Sequence, residues 1–248
     1  MSEPYRVWAL MTDTAVYLQP AFILQHRKYR ETSLIIDVLT RDFGRISLLA
    51  KGVRKAKSKT AGLLQPFLPL AISYIGKGEL KTLTDVEVMQ PFPELKGLGL
   101  YCGFYINELI GLFLHKYDPH PEVFAYYEAC LSRLSDSSKI EAALRIFELD
   151  LMDNIGYGLQ LKQAAGNKKP INPSKHYAFN IEQGPIEDEN GLFSGKTLQA
   201  ISARDLTDAH VLAEAKILMR AAIDTHLQGK PLKSRTVIHN MVKHTKNE

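Results

Sequence analysis

Seven basic side chains stand between positions 41 and 59: Arg41, Arg45, Lys51, Arg54, Lys55, Lys57 and Lys59. A single acid, Asp42, opposes them. The chemistry open to such a run is the holding of a polyanion. A nucleic-acid single strand is gripped by a cationic groove that tracks its phosphates and by aromatic faces that stack its bases. Lys51, Arg54, Lys55, Lys57 and Lys59 supply the cations, with Arg45 on the preceding strand. Five phosphate contacts would give a log–log salt slope of about −3.5, at roughly −0.7 per contact on a single strand. Arg27 and Lys28, with Arg30 just beyond, precede the next strand and extend the patch. Tyr29, Phe43 and Tyr74 are the stacking candidates, although an aromatic in a strand more often belongs to the core.

Charge is unevenly spread. Residues 1–80 hold 12 Lys and Arg against 6 Asp and Glu, whereas the whole chain holds 31 against 27. The first third therefore carries all of the positive excess, the pattern of a local electrostatic footprint. An apolar content of 45% excludes a disordered polyelectrolyte and leaves enough to bury a core.

Catalytic constellations are poor by comparison. His115 and His120 flank Asp118 without metal-ligand spacing, and Glu187, Asp188 and Glu189 are adjacent acids that point different ways. No GxxxxGK[ST] loop occurs, and Gly97 and Gly99 lack the third glycine of GxGxxG because Cys102 occupies its place. The expectation is a non-enzyme with no cofactor and no metal. Cys102 and Cys130 lie in apolar helical patterns and read as buried thiols of a cytoplasmic protein. The start of the chain lacks a basic segment followed by a continuous apolar run, so no secretory signal is expected. The most apolar stretch, 99–114, is broken by Asn107 and Glu108 and is shorter than the about 20 residues a membrane span needs.

The elements that must position the cations are strands. Residues 21–26, 32–40, 45–52, 67–75 and 80–89 are β-type runs separated by turns at Gly44 and at Gly76-Lys77-Gly78. The long connection at 53–65 lies between the third and fourth. Five strands with an insertion there suit an OB-fold barrel, with an SH3-like barrel as the competitor. Pro91-Phe92-Pro93 ends the sheet, and the period changes. Helices are expected at 98–117, 121–134 and 139–155, in a segment capped by Thr207 and ended by Gly229, and at 234–242. Arg145, spaced from Glu141 and Glu148, reads as a helix-surface charge arrangement. Residues 159–196 form a loop-rich insertion, with one strand at 177–181. The expected organisation is α+β: an N-terminal extension over 1–19, a barrel over 20–91 and a helical domain over 92–248.

The run ETSLIIDVLTRDFGRISLLAKGVR at 31–54 resembles the RecO family of DNA repair and recombination mediators. So do LQPF at 64–67, YINEL at 105–109, RIFELDLMDNIGYG at 145–158 and KPLKSR at 230–235. The resemblance implies an N-terminal OB-fold followed by an α-helical domain. It implies binding of single- and double-stranded DNA, annealing of complementary strands and partnership with RecR. It also implies a contact with the acidic C-terminal tail of the single-stranded DNA-binding protein, with Lys233 and Arg235 as carried-over candidates for partner or phosphate contact, and a nucleoid-associated location. Many members carry four zinc-binding cysteines after the GYG motif. The corresponding segment here has none, so the insertion is expected to lack zinc.

Overall fold

The computed structural model describes residues 15–56 and 58–245, with side chains through residue 240. It divides into two compact units, one ending at Phe92 and including Lys116–Pro119, the other comprising Pro93–His115 and the chain from His120 onward.

The first unit is a closed barrel of five strands, β1 (Ala15–Tyr29), β2 (Ser33–Thr40), β3 (Gly44–Ala50), β4 (Leu70–Ile75) and β5 (Leu80–Val88), in the order β1-β2-β3-β5-β4. β3 and β5 run parallel, and the other pairs are antiparallel. This is the OB-fold expected above. Closure rests on the length of β1. Its first part, Ala15–Ala21, pairs with β4 and its second, Ala21–Tyr29, with β2, through irregularities between Val16 and Gln19 and between Ile23 and Gln25. Bulges of this kind bend a strand enough to serve two neighbours. β1 begins at Ala15, so residues 15–19 pair in the barrel rather than preceding it.

Alternation decides which side chains fill the barrel. Ile36 and Val38 on β2, and Ile46, Leu48 and Ala50 on β3, point inward and are buried with Ala21, Ile23, Leu70, Ile72 and Val86. Val53 and Leu64, from the β3–β4 connection, join the same core. Each fully buried branched side chain contributes about 1.5–3 kcal/mol. The partners along β2 and β3 therefore face outward in rows: Ile35 beside Leu49, Asp37 beside Ser47, Leu39 beside Arg45.

The helix expected to run to residue 117 ends earlier, at Phe113. Residues Lys116–Pro119 instead return to the barrel: Tyr117 N–H donates to the Arg45 carbonyl at 3.0 Å, and Tyr117 Oη donates to the Glu79 carbonyl. Tyr117 has φ +62°, which no continuing helix accommodates. Gly44, at φ +66°, lies under this segment, and a Cβ there would stand 2.1 Å from the Asp118 carbonyl oxygen. Gly44→Ala should therefore lose about 2–4 kcal/mol, combining left-handed strain with overpacking. Urea unfolding of the variant checks this; an unchanged midpoint would contradict the close approach.

The second unit holds α1 (Gly97–Phe113), α2 (Pro121–Leu134), α3 (Ile140–Asn154), α4 (Gly195–Ser202), α5 (Ala209–His226) and α6 (Lys233–Thr245). α1 is buried along most of its length, as its apolar character requires. Among the described residues, no helix is long and apolar enough to cross a membrane. Asp208, not Thr207, caps α5: its carboxylate accepts from the His210 and Val211 N–H groups at 2.8 and 3.1 Å. Thr207 Oγ1 donates to Asp205 instead.

The insertion has more order than expected. β6 (His176–Asn180), β7 (Gly184–Glu187) and β8 (Phe193–Ser194) form a three-stranded sheet in the order β7-β6-β8. It is anchored by apolar packing of Leu161, Ala164, Ile171, Tyr177 and Phe193 with Leu198 and Leu218. Glu187 is drawn to Lys175 as an ion pair, which separates it from the neighbouring acids.

One expectation for α3 is overturned. Arg145 and Glu148 are not surface charges but are buried, at 7% and 1% exposure. Arg145 Nη2 donates to Glu148 Oε1 at 2.6 Å, and Tyr105 Oη donates to the same oxygen at 2.7 Å. α3 is enclosed by neighbouring elements, so its polar stripe faces Tyr105 instead of water. Burial raises the carboxyl of Glu148 above its ordinary value, opposed by the nearby Arg145.

Candidate nucleic-acid interface

The cations gather where the ends of β1 and β3 flank the start of β2. Lys28 pairs with Leu34, and Leu34 pairs with Ala50, so Lys28 and the start of the basic loop share one end of the barrel. Two strand spacings, about 10 Å, separate the Lys28 and Ala50 backbones. Arg27, Lys28, Arg30, Lys51, Arg54 and Lys55 are all exposed there, forming a basic crown. Among the described residues none of the six forms an ion pair with a carboxylate.

The loop is held to the crown by its own backbone. Arg54 N–H donates to the Thr32 carbonyl at 2.8 Å, and Arg54 Nη1 donates to the Arg30 carbonyl at 3.1 Å. Val53 inserts into the barrel core at 4% exposure, which leaves its neighbours Arg54 and Lys55 outside. Further along the same loop Lys59 is exposed, while Lys57 lies outside the described residues. The Arg30 guanidinium stands 5.3 Å from the Tyr29 ring centroid, a cation–π arrangement beside a half-exposed aromatic face.

Two cations of the original run do not reach the crown. Arg41 sits in the β2–β3 turn at the other end and pairs with Asp42 at 2.9 Å, which holds that carboxyl below its usual range. Arg45 is the second residue of β3 and Lys51 follows its end, and six residue steps of strand span about 20 Å. It is half-buried, and burial lowers its pKa while Asp37 opposes the shift. Arg45 therefore belongs to the barrel's outer face and not to the basic loop. Separation along a strand, not loop membership, sets which charges act together.

The aromatic candidates also divide. Tyr74 is 2% exposed and meets Phe43 edge-on at 6.2 Å, so both are core packing. Only Tyr29 retains an accessible face near the cations. Within the helical unit, Lys233 is exposed at the start of α6, where its N–H donates to Glu108 at 2.9 Å. Arg235 is engaged inside its own unit: it pairs with Asp224 and lies 5.9 Å from the Tyr105 centroid. Of the two, Lys233 is the one with a side chain directed to solvent.

Sequence reasoning missed a polar row on the β1–β2–β3 face. Gln25 Nε2 donates to Asp37 Oδ2 at 2.8 Å, Ser47 Oγ donates to Asp37 Oδ1 at 2.5 Å, and Lys116 Nζ donates to Ser47 Oγ at 2.8 Å. The signal for the first three was the outward alternation of β1, β2 and β3. Nothing in the spacing of residue 116 announced the fourth.

Two family models match the chain, "Recombination protein O N terminal" over residues 11–92 and "Recombination protein O C terminal" over residues 96–236. Among curated relatives, a DNA repair protein RecO of Nitrosococcus oceani is 43% identical over 231 residues, covering 91% of this chain and 94% of its own length. Its counterpart in Methylococcus capsulatus is 41% identical over 227 residues, with coverage of 91% and 94%. That of Burkholderia pseudomallei is 39% identical over 243 residues, with coverage of 95% and 88%.

Proposed function

As the chain belongs to the recombination protein O family of DNA repair proteins, we propose that it binds single- and double-stranded DNA and anneals complementary strands. On this reading it helps to load recombinase at gaps coated by the single-stranded DNA-binding protein. The observation that carries the proposal is the crown: six exposed cations on one end of an OB barrel, none of them paired with a carboxylate among the described residues. Phosphate neutralisation lowers the repulsion between two strands, and base pairing then drives the product. No fuel, cofactor or catalytic residue is required. Phosphate contacts carry no sequence information, so preference among sequences is weak. The site of action is the cytoplasm, at the nucleoid.

The protein partners in this proposal are RecR and the acidic tail of the single-stranded DNA-binding protein. An adaptor role through the helical unit has support from a cavity of about 150 Å³ beside α2 and α3, lined by Tyr126, Ile146 and Phe147 with Arg133 at hand and with Asp150, itself paired with Arg204 at 2.8 Å, on its wall. That combination suits an aromatic side chain ending in a carboxylate.

The test is annealing of two complementary labelled oligonucleotides followed by fluorescence, without nucleoside triphosphate. The expected result is acceleration well above the spontaneous rate at low salt, declining steeply as salt rises. A rate equal to the spontaneous one at saturating protein would overturn the annealing role.

A further inference from the structure

α6 is attached to its unit by charge more than by apolar packing. Of its described side chains, Lys233–Asn240, none is buried, whereas α5 buries Val211, Leu218, Met219, Ala222 and Ile223. Leu232, just ahead of the helix, is buried and pins its start. The remaining hold falls to carboxylates on two neighbouring helices. Glu108 of α1 accepts from the Lys233 N–H on one oxygen at 2.9 Å. Its other oxygen accepts from the Ser234 N–H and hydroxyl at 2.9 and 2.5 Å. A carboxylate in this place satisfies N–H groups that no preceding turn can reach, and it faces the positive end of the helix dipole. Asp224 of α5 pairs with Arg235, and its second oxygen stands 3.9 Å from Arg220.

The interior beneath the helix is incompletely paired. The Arg235 guanidinium lies 5.9 Å from the Tyr105 ring centroid, and the Tyr105 hydroxyl donates to Glu148 Oε1. Glu148 Oε2 and Arg145 Nε are buried with no hydrogen-bond partner among the described residues. Orphaned polar atoms are costly while the site is closed, and water relieves that cost once it enters. Closure of α6 therefore gains the contacts of Glu108 and Asp224 but withholds water from a network that would take it. Residues 230–248 hold five Lys and Arg, with Glu248 as the one acid. The position of so cationic a segment follows the carboxylates that neutralise it.

We infer that α6 is a strap with an ionic latch. When the charges of Glu108 and Asp224 are screened, the helix swings out about Leu232 as one piece, while α1, α3 and α5 stay folded. Its departure bares the Tyr105 ring and opens a way for water to Glu148. The device belongs to the helical unit alone and holds whatever the barrel binds.

The test is hydrogen exchange of the full chain, followed residue by residue by NMR. Salt is raised from about 0.1 M, where charges act over about 10 Å, to about 1 M, where they act over about 3 Å. Amides along the whole of α6, those of Lys233 and Ser234 included, should exchange about fivefold faster at the higher salt. The α5 amides keep their rates and serve as the folded reference. Glu108→Gln and Asp224→Asn should each speed α6 exchange about fivefold at low salt. The double variant should no longer respond to salt. If Lys233 and Ser234 stay protected in high salt while residues nearer the C-terminus exchange, the helix frays from its end and the strap is wrong. Exchange of α6 only in step with α5, or a rate that neither salt nor the double variant alters, would also overturn the inference.

Discussion

Charge reversal at Lys28, Lys51 and Lys55 should abolish strand annealing while leaving the protein folded. All three side chains are exposed, and none donates to a carboxylate among the described residues, so their replacement by Glu removes no packing. Exposed substitutions of this kind usually change stability by no more than about 0.5 kcal/mol. Binding is another matter. Each phosphate contact contributes about 0.7 to the salt slope, so losing three weakens binding by about 100-fold at 0.1 M salt. Reversal adds repulsion to that loss. Arg54 is better left in place, because its guanidinium also secures the loop to the Arg30 carbonyl. The check is annealing rate and strand affinity beside a thermal melt. Unchanged affinity in a triple variant that melts like the parent would remove the crown from the mechanism.

The second large effect concerns stability. Glu148→Ala should destabilise the helical unit by about 3–5 kcal/mol, because it leaves the buried Arg145 charge uncompensated. That is a large share of the 5–15 kcal/mol typical of a folded domain. Arg145 is 7% exposed, so little of its side chain is left to water. Tyr105 also loses the acceptor of its hydroxyl. Replacing both charges, Arg145→Met with Glu148→Met, should recover most of the loss, since an apolar pair of similar volume need not solvate a charge. Urea unfolding followed by circular dichroism reads both variants. A double variant no more stable than the single would show that the pair acts through shape and not through charge.

The barrel was legible in the sequence because alternation in β2 and β3 leaves few choices. Ile36, Val38, Ile46 and Leu48 can only share one face, and the long connection after Ala50 placed the insertion. The basic loop was legible for the same reason, as charge that no core could take. What stayed hidden depended on distance between parts of the fold. Arg45 is close to Lys51 in sequence, yet an extended strand carries it to the far end of the sheet. Arg145 and Glu148 have the spacing of an exposed helix pair, and only the enclosure of α3 tells the two cases apart. Lys116 looked like the last turn of an apolar helix until the chain was seen to turn back at Tyr117 and pair with Arg45. Local pattern sets the elements, while long-range contact decides which polar groups meet.

The central claim is that one end of the barrel grips a strand through its phosphates, and the salt dependence of single-strand affinity tests it most directly. Anisotropy of labelled dT12 should give a log–log slope between about −3 and −4 for the parent chain, flattened by about 2 when Lys28, Lys51 and Lys55 are reversed. A parent slope near zero, or one that the reversal leaves untouched, would contradict it.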